Sequence, residues 1–149
     1  MIERDVERVM REVYSQVTKE GRTALKEINL TPPQFNLMVH LYFCGPLNQT
    51  NLAKDLYLAK STISGIVERL EKRRFVKRAK VEADRRSEIV VLTPQGEEVI
   101  QRVIDKRVEF LRKLMLDFTE EEKEKFLELL NKMKDKLPEY SSPKNAKKQ

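Results

Sequence analysis

Asn48-Gln-Thr-Asn-Leu-Ala-Lys-Asp-Leu56, a break at Tyr57-Leu58, and Ala59-Lys-Ser-Thr-Ile-Ser-Gly-Ile-Val-Glu-Arg-Leu-Glu-Lys-Arg-Arg74 follow one another in this chain, and their reading decides the fold. Asn48 is a helix-capping residue type, and Leu52 and Leu56 stand four apart on one helical face. The second run restarts at Lys60 and carries Ile63, Ile66, Val67 and Leu70 as an apolar stripe. Two short helices joined by a tight turn predict a helix-turn-helix. Opposite the stripe, at about 100° per residue, lie Ser61, Ser64, Gly65, Glu68 and Lys72. Short hydroxyls and a glycine let a helix backbone approach base edges closely, and serine can donate to or accept from any base. An ordinary solvated face has a similar composition, so the residues that follow must decide between the two.

Those residues are Val76-Lys-Arg-Ala-Lys80 and Glu88-Ile-Val-Val-Leu92, two β-favouring runs separated by the polar Glu82-Ala-Asp-Arg-Arg-Ser87. The expected form is a two-stranded wing with Arg85 and Arg86 at its tip, where guanidinium groups can enter a narrow minor groove. Asp84 is expected to be structural, pairing with an arginine to shape the tip.

Charge is concentrated in the same place. The chain has 30 Lys and Arg against 24 Asp and Glu, a net of +6. Between Lys60 and Glu88 there are ten basic and five acidic residues, whereas residues 1–30 have six of each and residues 93–137 have ten basic and eleven acidic. A basic patch on an otherwise balanced protein is the electrostatic footprint of phosphate binding. The expected contacts with double-stranded DNA are Lys60, Ser61, Thr62, Ser64, Gly65, Arg69, Lys72, Arg73, Lys77, Arg85 and Arg86.

Leu52-Ala-Lys-Asp-Leu, Lys60-Ser-Thr-Ile-Ser, Val67-Glu-Arg-Leu-Glu-Lys, Asp84-Arg-Arg-Ser and Val91-Leu-Thr-Pro-Gln-Gly, in this order and spacing, resemble the multiple-antibiotic-resistance regulator (MarR) family of winged-helix repressors. The resemblance covers nearly the whole chain. It implies a homodimeric transcription regulator with recognition helices in successive major grooves, wings in the flanking minor grooves, and control by a small molecule. The chain departs from that pattern in four places. Tyr57 and Arg74 stand where glycine is common, Ala59 where a Ser or Thr cap is common, and Gly65 where many relatives place an arginine. Tyr57 and Arg74 are therefore expected to need unusual turn geometry. Ser61 is expected either to cap a later helix start or to leave the first amides for a phosphate.

Long amphipathic segments flank the motif. Ile2, Val6, Val9, Met10, Val13 and Val17 repeat at helical spacing near the start. Thr93-Pro-Gln-Gly opens a helix carrying Val99, Ile100, Val103 and Ile104, and Thr119-Glu-Glu-Glu opens another with Phe126, Leu129, Leu130 and Met133. A third cap signature, Thr31-Pro-Pro-Gln34, leads from the first helix into the motif. The expected architecture is mainly α with a small β-wing, a winged helix-turn-helix flanked by N- and C-terminal dimerisation helices. Residues 1–30 and 94–137 form the dimerisation layer, 31–93 the DNA-binding domain, and 138–149 a flexible tail.

A ligand at the junction of these parts could alter the spacing of two reading heads. Tyr14, His40, Tyr42 and Arg22 are the candidate contacts, each equally at home as an ordinary core or surface residue, and a small aromatic anion is the effector class the family resemblance suggests. Catalysis finds little footing. With one His and one Cys, His40 and Cys44 are the sole nucleophile–base pair available, and a structural zinc site would need four ligands. No catalytic residue, metal or cofactor is expected. No signal peptide, membrane-spanning run or disulfide framework is apparent, so a cytoplasmic protein without membrane contact is expected. The alternative is a winged-helix architectural DNA binder or protein-docking module without ligand control.

Overall fold

The computed structural model describes residues 1–81 and 84–138, with the backbone alone for Asp84, Arg85 and Arg86. Eight elements follow in order: α1 (Ile2–Ile28), α2 (Pro32–Cys44), α3 (Gln49–Leu56), α4 (Lys60–Lys72), β1 (Val76–Val81), β2 (Asp84–Leu92), α5 (Pro94–Leu114) and α6 (Glu120–Lys134). They divide into two compact units, one of residues 1–27 and 102–138, the other built on residues 28–101.

The second unit carries the motif. Each helix start is set by the residue type that precedes it. Thr31 and Gln34 close a reciprocal capping box at α2, with proline in the first turn. Asn48 accepts from the Asn51 amide at 2.8 Å and caps α3. The stripe read from the sequence is the core of the motif: Leu52, Ile63, Ile66, Val67 and Leu70 are all buried, together with Phe35, Leu37, Met38 and Leu41 of α2. α3 packs on α4, and α2 lies against both α4 and β2.

β1 and β2 pair antiparallel from Val76↔Leu92 to Lys80↔Glu88. Leu47 adds a bridge to Val90, their amides and carbonyls exchanging hydrogen bonds at 2.8 and 3.4 Å, so the segment before α3 is tied to the wing. The register then slips between Lys80 and Val81, and Val81 pairs with Asp84. Arg85, Arg86 and Ser87 fall between these two pairs. The expected six-residue turn from Glu82 to Ser87 is thus corrected: Arg85 and Arg86 belong to β2 rather than to a turn, because the strand continues through the slip. Their side chains, and the structural role expected for Asp84, lie outside the described residues.

α5 begins where the wing ends. The Thr93 hydroxyl accepts from the Gly96 amide at 3.1 Å and donates to the Arg74 carbonyl at 2.6 Å. Gly96 is required by close approach: a Cβ there would lie 2.3 Å from the Phe75 carbonyl oxygen and 2.8 Å from the Leu92 side chain.

In the first unit, Val17, Ala24, Leu25 and Val103 are buried. Thr119 and Glu122 cap α6 reciprocally, yet α6 has no buried residue. The expected flexible tail, residues 138–149, lies outside the described residues apart from Pro138. Among the described residues, no helix is long and apolar enough to cross a membrane.

Candidate nucleic-acid interface

α4 begins at Lys60 with Ala59 as the preceding cap residue, and no side chain closes its first turn. Ser61 is inside the helix and is not the cap. An α-helix leaves its first amides without intrahelical partners, and the macrodipole adds partial positive charge there, so this end favours an anion. Lys60, Ser61 and Thr62 are exposed, and Ser64 and Gly65 half-buried, on the face opposite Ile63, Ile66 and Val67.

Gly65 has a helical neighbourhood with open space around it. A Cβ built there meets nothing within 4 Å. Glycine within a helix costs about 1 kcal/mol relative to alanine, and among the described residues no contact demands it. The hollow therefore lies on the outward face of the motif's second helix.

Further along, Arg69 and Lys72 are exposed, with Lys72 loosely paired to Glu68 at 3.6 Å. Lys77 is exposed on β1. Arg73 stands apart. Its guanidinium donates to the carbonyls of Ile28 and Asn29 and lies 4.8 Å over the Phe75 ring. Those bonds satisfy acceptors at the end of α1, where Asn29 turns left-handed with φ 59°. Arg73 thus clasps the turn after α1 from an exposed position, and we read it as structural rather than as a DNA contact.

Comparison with known proteins places this geometry. The MarR family model matches residues 30–87. The HTH-type transcriptional regulator YsmB of Bacillus subtilis is 37% identical, over 89% of this chain and 91% of its own length. The chain belongs to the MarR family. Among solved structures, the transcriptional regulator Tm0710 of Thermotoga maritima is 39% identical, with 89% of this chain and 93% of that one covered and a TM-score of 0.75. A complex of S. aureus MepR with DNA, 23% identical over 89% of this chain and 99% of that one, shares the fold at a TM-score of 0.67. As a MarR-family protein the chain is a winged helix-turn-helix transcriptional regulator, and its relatives are regulators rather than enzymes.

Within that MarR fold the four ligand candidates part company. Tyr14 and Arg22 are exposed on α1 in the first unit, and His40 and Tyr42 sit on α2 in the second. His40 is corrected to a core residue. It is buried, its Nε2 lies 2.8 Å from Asp55 Oδ2, and its Nδ1 lies 3.7 Å from Cys44 Sγ. Both ring nitrogens are thus engaged. Tyr42 is half-buried; its hydroxyl accepts from the Gln101 amide, and its ring meets Phe43 edge-on at 5.0 Å. Arg11, also on α1, is held by Glu7 at 3.0 Å, and that hydrogen bond and charge keep the Glu7 carboxyl below its ordinary range.

Asp55 was not legible as a functional position. It shares the inward face of α3 with Leu52, three residues earlier, and an acid in a core stripe signals a buried partner. The single histidine is that partner.

Proposed function

We propose that this regulator binds a pseudo-palindromic operator as a homodimer and represses transcription, with its DNA affinity adjusted by a small aromatic anion. The observation that carries the DNA reading is α4: an uncapped N-terminus, short exposed hydroxyls at Ser61 and Thr62, and an open hollow at Gly65. Ser61 and Ser64 contact base edges, while Lys60, Arg69, Lys72 and Lys77 contact the backbone. Arg85 and Arg86 of β2 reach the minor groove. That MepR, a protein of the same fold, forms a complex with DNA is in keeping with DNA as the partner.

The dimer reading is supported by apolar surface left exposed in the first unit. Ile2, Val6, Met10 and Tyr14 of α1, with Met133 of α6, line a groove of about 570 Å³. Such a surface marks an interaction site rather than an ordinary solvated face. A second copy supplies the same helices by symmetry, as an isologous interface requires. Residues 1–30 and 94–137 therefore form the dimer layer, residues 31–93 the reader, and residues 138–149 a tail outside both. Tyr14 belongs to the layer on this reading. Arg22 in the first unit and Tyr42 in the second are each kept as a separate candidate contact for the anion, and the protein works in the cytoplasm, where its DNA is.

Fluorescence anisotropy with a duplex selected from random sequence tests the binding, and light scattering tests the assembly. Expected are tight, salt-sensitive binding and a mass twice the 17.6 kDa of the chain. Salicylate at constant ionic strength should weaken binding about 5–150-fold, the usual range of allosteric coupling. A monomer that binds all duplexes equally would contradict the reading.

A further inference from the structure

Between α3 and α4 the chain turns through Tyr57, with φ 56° and ψ 40°. A Cβ crowds this left-handed conformation, which glycine adopts freely. The turn uses only the backbone of the residue: the Tyr57 amide donates to the Ala53 and Lys54 carbonyls that end α3. The residue is left 89% exposed. The fold therefore holds a bulky aromatic outward, in a conformation that disfavours it, with little packing in return.

Its surroundings say what it meets. Lys54 and Lys60 flank it, both exposed. The sole acid between them, Asp55, is buried and hydrogen-bonded to His40. From Lys54 to Lys60 the exposed surface thus offers two ammonium groups and a phenol, with no carboxylate to repel a phosphate. Immediately beyond lies the uncapped start of α4.

We propose that Tyr57 is a DNA-backbone contact, its hydroxyl donating to a phosphate at the edge of the groove that α4 enters and its ring lying along the adjoining sugar. The inference deepens the DNA reading above and rests on it. A hydroxyl donating to an ionised oxygen makes a charge-assisted bond that fixes orientation without reading sequence. A neutral donor releases no counterion, so this contact differs from a lysine contact in its salt dependence.

The test compares wild type with Tyr57→Phe, Tyr57→Gly and Lys54→Ala on a duplex selected by the wild-type protein and on a scrambled duplex, across a salt series. Tyr57→Phe should weaken both duplexes by a similar factor, about tenfold, with the salt slope unchanged. Tyr57→Gly should weaken binding at least as much while its melting temperature stays level or rises, since the turn is relieved of its Cβ. Lys54→Ala should instead lower the salt slope by about one. A Tyr57→Phe protein that bound like wild type would overturn the contact while leaving the DNA reading intact. A wild-type protein that bound no duplex would overturn the DNA reading and this contact with it.

Discussion

His40 and Asp55 meet inside the second unit at 2.8 Å, both less than 9% exposed, and their bond joins α2 to α3. Cys44 Sγ approaches the other ring nitrogen at 3.7 Å, so the imidazole bridges both. The first helix of the reading motif is thus anchored by a polar pair as well as by Leu52. Removing one partner takes this buried bond from the other, which costs more than replacing both with apolar groups of similar shape. His40→Ala or Asp55→Ala should each destabilise by about 1–3 kcal/mol in denaturant titration. The double variant His40→Leu/Asp55→Leu should lose clearly less than the sum, and strict additivity would contradict the coupling.

Gly65 is where stability and DNA binding should part. With open space around its Cα and helical backbone, Gly65→Ala should raise stability by about 0.5–1 kcal/mol. The added methyl fills the hollow on the outward face, so affinity for the selected duplex should fall. Thermal melting and anisotropy on one preparation check both signs, and a variant that binds more tightly would contradict the assigned face.

Most of the fold was legible because its signals are local. Thr31, Asn48, Thr93 and Thr119 mark helix starts through side-chain acceptors placed beside free amides, and the Ile63, Ile66, Val67, Leu70 stripe depends on helical period alone. The family resemblance puts glycine where Tyr57 and Arg74 stand and so implies unusual turn geometry there, and both residues are left-handed. What was not legible depends on distant partners. The Leu47 bridge to Val90 joins residues more than forty positions apart. Arg73 looked like one more cation in a basic run, and only the turn after α1 brings the Ile28 and Asn29 carbonyls to it. The expected turn from Glu82 to Ser87 was drawn too long for a related reason: its polar residues read as a turn, but the slip after Lys80 lets the strand run on through Arg85 and Arg86.

Arg73→Ala should accordingly act on folding rather than on DNA. It removes two hydrogen bonds from a cation to main-chain carbonyls and a stacking contact with Phe75. A loss of about 1–3 kcal/mol of stability is expected, with the salt slope of DNA binding unchanged. A slope lowered by about one, with stability intact, would return Arg73 to the phosphate contacts.

The serines and the wing arginines should separate by what they read. Ser61→Ala and Ser64→Ala should cost about 1–3 kcal/mol mainly on the selected duplex, while Arg85→Ala and Arg86→Ala should weaken all duplexes and lower the salt slope by about one each. Paired titrations on selected and scrambled DNA distinguish the two patterns. Equal serine losses on both duplexes would indicate binding without base readout.

The central claim, that two copies of this chain present their α4 helices to successive major grooves, is tested most directly by selecting binding sites from random duplex DNA with the full-length protein. The expected product is an inverted repeat whose half-sites are centred one helical turn, about 10–10.5 bp, apart. A direct repeat, or a pool that shows no enrichment, would contradict it.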